Sequence, residues 1–336
     1  MKQYDQIYGC LAGLALGDSL GGPTEFLSPQ QIRSEYGRVN RFIRAPSWHP
    51  HHVLRPGQVT DDTGQALAVA RAIHDDGQLT AEDVARELLA WVEQAGNVLP
   101  VILGPSTRQA LDRLRRGESP RLTGQKGLTN GATYRVTAVG LVNYDQPDKL
   151  VEQVVEACLP THGTTVAISG AAALACAVAK AVSGSASLHD ILDAAKTGAA
   201  EGRKHGAWAW GTPLDGRIEL AVKLATESAS PEAALTALYN YVGVDMLVAE
   251  SVATAFGLVA LADGDPMKAI FYGVNIGGDT DTIAALAGAI CGAWQGIEAI
   301  DPRMLAKVEQ VNHLDLAAQA ARLEGIIRQR SKADVE

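Results

Sequence analysis

Apolar residues group along this chain into runs and stripes at helical spacing, separated by polar turns. Residues 8–20 read as a first buried helix. Residues 66–73 form a short helix of small side chains. After Thr80, Glu82 and Asp83, an N-terminal signal, Val84, Leu88, Leu89, Trp91 and Val92 recur on one helix face and are expected in the core. Further helices are predicted over residues 108–116, 164–182, 188–200, 218–225, 231–242, 250–262 and 283–293, with one or two amphipathic helices over 301–328. Residues 28–57, with Pro46, Pro50 and Pro56, read as polar and irregular. No repeat or linker interrupts the pattern. The chain is therefore expected to be one domain of about a dozen helices over residues 1–330, with 331–336 as a flexible tail.

Composition sharpens this picture. Apolar residues make up 47% of the 336 residues and aromatics only 5%, because Ala and Gly are abundant. Helices faced with such small side chains approach closely. The net charge of −9 argues against a nucleic-acid surface, which needs clustered cations. Cys10, Cys158, Cys176 and Cys291 lie in apolar runs without metal spacing and are expected as reduced, buried thiols. Residues 163–179 carry no charge but are mostly Ala, Gly, Ser and Thr, which reads as too weakly apolar for a membrane span. A soluble, cytoplasmic protein is expected, with no nucleic-acid or membrane partner.

Two acidic stretches carry the chemistry. Gly277-Gly278-Asp279-Thr280-Asp281-Thr282 precedes a run of small apolar residues. Two carboxylates one residue apart point about 200° apart on a regular helix, so Asp279 and Asp281 converge only if the first lies in the loop and the second at the helix start. Thr60-Asp61-Asp62-Thr63 has the same composition and also opens a small-residue helix, where Asp62 and Gln65 fit a capping box. Brought together, four Asp carboxylates and the hydroxyls of Thr60 and Thr282 can hold two hard divalent cations. His49, His51 and His52, in a Pro-containing loop without acidic neighbours, are expected at the surface.

These stretches, with Gly13 to Gly21 (GLALGDSLG), Asn130 to Arg135 (NGATYR) and Thr161-His162, resemble the ADP-ribosylglycohydrolase family from about residue 8 to 296. The resemblance implies an all-α fold, a single compact orthogonal helical domain. It also implies a pair of Mg²⁺ or Mn²⁺ ions on Thr60, Asp61, Asp62, Asp279, Asp281 and Thr282, and hydrolysis at a ribose C1. Glu25 and Asp62 are then the catalytic candidates, and Gly127, Leu128, Asn130, Gly131, Tyr134 and His162 the substrate-binding ones. Three places depart from the family pattern. Val101-Ile102-Leu103 lacks an acid, Leu128 stands where an adenine-stacking Tyr is common, and Tyr134 replaces a Met. The expected substrate is an ADP-ribosylated acceptor such as ADP-ribosyl-arginine, free or on a modified protein. Leu128 and Tyr134 motivate a smaller N-ribosyl metabolite or nucleoside as the alternative, and a non-catalytic relative is a third reading.

Overall fold

The computed structural model describes residues 3–333. They form eighteen α-helical segments, with two isolated β-bridges, Thr129 to Leu247 and Thr164 to Ala207, and no sheet among the described residues. The all-α expectation is met, with more and shorter helices than the apolar runs suggested. Three unanticipated ones, Pro29–Tyr36, Pro147–His162 and Pro266–Gly273, each begin with a proline in the first turn, where its missing N–H costs nothing. The first lies inside the stretch expected to be irregular, and Ser28 with Gln31 completes a capping box in front of it.

The first helix, Gln3–Gly21, and the helix behind the second acidic stretch, Thr280–Gln295, pack along almost their whole length. Gly9, Gly13, Gly17 and Gly21 recur every four residues on one face and let the two backbones touch. A Cβ on Gly13 would lie 2.1 Å from the Gly288 carbonyl oxygen, and one on Gly21 2.4 Å from the Asp281 Cα. No side chain fits in this seam. Gln6 pins its start, donating from Nε2 to the carbonyls of Ala181 and Ala293, each at 3.1 Å.

Helix Thr165–Val182 corrects a sequence expectation. With a mean hydropathy of 1.8 it is long and apolar enough to cross a membrane, yet 83% of it is buried inside the protein, as the core helix of the body. The last helix, Leu316–Ala333, includes the first residues of the expected tail, and 334–336 lie outside the described residues. Cys10, Cys158 and Cys291 are buried and unbridged, as expected, while Cys176 is partly buried.

Candidate metal and active site

The two acidic stretches, more than 200 residues apart in sequence, face one narrow cavity of about 50 Å³. Its lining includes Glu25, Asp61, Asp62, Asp279, Asp281 and Thr282. Asp279 is the N-cap of helix Thr280–Gln295 and Asp281 lies in its first turn, the arrangement that convergence requires. Gly277 and Gly278 have φ of 89° and 74°, values in the left-handed region that suits glycine. They bend the chain so that the Asp279 amide donates to the Val244 carbonyl at 2.8 Å and the Gly278 amide to Leu27 at 2.9 Å. The Asn130 side-chain amide donates to Asp279 Oδ2 and, at 2.8 Å, to Ser251 Oγ.

The first acidic turn is built differently. Thr60, not an Asp62–Gln65 box, caps helix Asp61–Ala72, its Oγ1 accepting from the Asp62 amide at 3.4 Å. Gln65 instead donates to Asp61 Oδ2, one helical turn away, and Tyr134 donates to the same oxygen at 3.1 Å. Asp18, on the first helix, accepts from the amides of Thr60 at 2.9 Å and Thr63 at 3.0 Å, and from the Thr63 hydroxyl. Asp18 lies within the Gly13 to Gly21 stretch that carries part of the family resemblance. Its signal was an acid inside a small-residue helix, where an uncompensated carboxylate is costly and so needs donors.

Crowding of buried carboxylates dominates the electrostatics. Burial, then the charges of Asp281, Asp279, Asp62 and Asp61, holds Glu25 well above the usual carboxylate range. Burial and Asp281 first among its neighbours do the same to Asp62 and Asp279. Asp61 and Asp281 are each pushed up to about 7, chiefly by burial. No cationic side chain is salt-bridged to these four aspartates among the described residues, and Asp62 Oδ2 is buried without a hydrogen-bond partner. An all-oxygen set with excess negative charge and an orphaned oxygen fits a hard divalent cation.

Glu25 stands in a turn after Gly22–Thr24 and enters the cavity as expected. The histidines correct the sequence reading, since His49 and His51 are buried and only His52 is exposed. The polar loop folds inward because both rings find carbonyl partners there. Glu25, His51 and Asp281 offer ligand atoms all within 4.8 Å of one another. Asn130, Gly131 and Tyr134 line the cavity. His162 does not. It is fully buried beneath the loop, its Nε2 2.9 Å from Thr129 Oγ1 and its Nδ1 2.8 Å from Thr161 Oγ1 and 3.1 Å from Arg135. Burial, reinforced by the Arg135 charge, holds His162 well below its usual value. Gly127 lies against Thr161 and His162, its carbonyl accepting from Thr164, while Leu128 is 43% exposed and outside the cavity lining. The buried Arg135 ties this loop together, donating to the Gly131 carbonyl and to Thr161 Oγ1. Trp208 and Trp210 border a separate surface pocket.

The family model for ADP-ribosylglycohydrolase matches residues 1–332. The chain belongs to the ADP-ribosylglycohydrolase family. It is thus a hydrolase of the glycosidic class. The uncharacterised Escherichia coli K12 protein YegU is 33% identical over 97% of this chain and 98% of its own length. The ADP-ribosyl-[dinitrogen reductase] glycohydrolase of Rhodospirillum rubrum is 25% identical over 91% of both chains. Human ADP-ribosylhydrolase ARH3 is 25% identical over 95% of this chain and 93% of its own. A solved structure described as an ADP-ribosylglycohydrolase-related protein complex shares the fold, with a TM-score of 0.71 at 24% identity over 98% of this chain and 99% of that one.

Proposed function

We propose that the protein is a metal-dependent hydrolase that cleaves the glycosidic bond at ribose C1 of an ADP-ribosylated acceptor, with ADP-ribosyl-arginine as the representative substrate. The observation that carries this reading is the meeting of Asp61 and Asp62 with Asp279 and Asp281 beside Glu25 at one cavity. In the proposal Thr60, Asp61, Asp62, Asp279, Asp281 and Thr282 hold two divalent cations, Mg²⁺ or Mn²⁺. Ions bound there would supply Lewis acidity that lowers the pKa of a water.

The chain's own groups do the rest. Bond breaking at C1 builds oxocarbenium character, so the sugar, the leaving group and the attacking water must be held in line. Glu25, buried beside the aspartates at the cavity, is placed to pass a proton to or from the reacting atoms, with Asp62 orienting the attacking water beside it. Asn130 fixes Asp279, and the backbone around Gly131 faces the substrate. His162 acts from below in this scheme, holding the Gly127–Gly131 loop through Thr129 rather than touching phosphate.

A second reading, hydrolysis of a smaller N-ribosyl compound, is favoured by the exposed Leu128, which offers no stacking face, and by Tyr134, which lines the cavity and donates its hydroxyl to Asp61. Turnover assays with Mg²⁺ or Mn²⁺ separate the two: release of ADP-ribose from ADP-ribosyl-arginine supports the first, and cleavage of simple ribonucleosides alone supports the second. Cleavage of neither rejects both. Asp281→Ala is expected to lose divalent binding and turnover together. Its loss should exceed the roughly 10- to 100-fold typical of partners one shell out. Calorimetric titration beside the assay checks this, and full activity in the variant rejects the assignment.

A further inference from the structure

We propose that His49 and His51 are positioning residues, a two-ring brace that holds Glu25 at the acidic cavity. His49 acts on its backbone carbonyl and His51 on its carboxylate and on the turn before it. The proposal rests on Glu25 as the proton-carrying group and adds what fixes that group in place.

The backbone of the Glu25 turn is held by the Glu25 amide on the Gly21 carbonyl at 3.1 Å and the Phe26 amide on the Gly278 carbonyl at 2.8 Å, which leaves the Glu25 carbonyl and carboxylate to other partners. Phe26, the next residue, has φ of 62°, an unfavourable region for a bulky side chain, and is largely exposed. The Glu25 carboxylate makes no hydrogen bond to another side chain among the described residues, and its close polar neighbour is His51 Nδ1 at 3.3 Å. His49 Nδ1 accepts from the His51 amide at 3.0 Å, which puts its proton on Nε2. That nitrogen donates to the Glu25 carbonyl at 2.6 Å. His51 Nδ1 lies 2.9 Å from the Gly22 carbonyl and Nε2 3.0 Å from the Val101 carbonyl. The ring thereby links three segments that are far apart in sequence. Phe26 covers both rings, with centroids 6.3 Å from His49 and 6.0 Å from His51.

The nearness of His51 to Glu25 and Asp281 suggests a rival role as a metal ligand. A neutral ring carries one N–H; on Nδ1 it donates to the Gly22 carbonyl and faces the Glu25 carboxylate, whereas ligation through Nδ1 would move that proton to Nε2, toward Val101. Ligation would set lone pair against lone pair at Gly22. The ring serves its neighbours as a donor.

The test uses the full-length protein and four variants, His51→Ala, His49→Ala, Glu25→Gln and the His51→Ala/Glu25→Gln double variant. Turnover of ADP-ribosyl-arginine, Mn²⁺ affinity by calorimetry, thermal melting and hydrogen exchange are compared. In His51→Ala, kcat should fall about 10- to 100-fold while KM and Mn²⁺ affinity stay within about twofold. His49→Ala should move in the same direction. Added imidazole should restore part of the His51→Ala turnover, and the double variant should be no slower than Glu25→Gln. Independently of activity, exchange in a peptide covering residues 22–27 should quicken about 10-fold in His51→Ala, with the rest of the chain unchanged. Unchanged exchange there together with parental kcat overturns the brace. A drop of tenfold or more in Mn²⁺ affinity overturns it in favour of ligation. Parental turnover in Glu25→Gln removes both the reading of Glu25 and the brace that depends on it, whereas its loss with parental kcat in His51→Ala removes the brace alone.

Discussion

The two acidic turns have nearly the same letters and opposite construction. Around Asp279 and Asp281 the backbone does most of the shaping, with two glycines of positive φ and amides donated to Val244 and Leu27, while Asn130 holds Asp279 and the Thr280 hydroxyl donates to Gly21. Around Asp61 and Asp62 side chains do it, with Asp18 under the turn and Gln65 and Tyr134 on Asp61. A turn shaped by its backbone fails through sterics. A turn shaped by side chains is tuned through single hydrogen bonds.

The largest expected effect strikes both turns at once. Asp61 and Asp281 ordinarily titrate near 3.8 and are raised to about 7 in the folded protein. Because the folded state favours their protonated forms, their contribution to stability is greatest below the unfolded value and is lost as pH rises through about 7. Metal-free protein should therefore lose melting temperature between pH 5 and 7.5, and Mg²⁺ should restore it at the upper end. Asp281→Asn should flatten that slope. A steeper slope in the variant would contradict the sign.

Next comes the backbone turn. Gly278→Ala places a Cβ about 2.4 Å from the Val244 carbonyl oxygen at a φ of 74°. It should cost about 1–3 kcal/mol in denaturant unfolding and displace Asp279. For the other turn, Asp18→Asn keeps the shape but replaces one accepting oxygen with an amide donor facing the Thr60 or Thr63 N–H. Divalent affinity should weaken about 10-fold, read by calorimetry. Tyr134→Phe is the mildest, since Gln65 still serves Asp61, and should shift stability by about 1 kcal/mol or less. If Tyr134→Phe proves worse than Gly278→Ala, the contrast between the turns is wrong.

Much of this was legible in the residues. The spacing of Asp279 and Asp281 already required a loop-to-helix junction, and the helix has its N-cap at that position. The small-residue runs foretold close helices. Other features depend on contacts that no local pattern reports. His49 and His51 read as surface residues because their loop is polar and proline-bearing, yet carbonyls from Gly22, Glu25 and Val101 draw them inward. His162 reads as a substrate-binding residue through the resemblance, but it ends helix Pro147–His162, and Arg135 and Thr129 enclose it. Helix Thr165–Val182 was judged by composition alone, and only its neighbours identify it as the core of the body rather than a span.

The glycine seam runs from Gly9 to Gly21 and terminates against the Cα of Asp281. It works as a gauge block: the thickness of two bare backbones fixes how far the first helix stands from the second acidic turn. A methyl wedge at Gly13, packed against Gly288 some two helical turns from Asp281, would pry that spacing open and detune the site without altering a single acidic group.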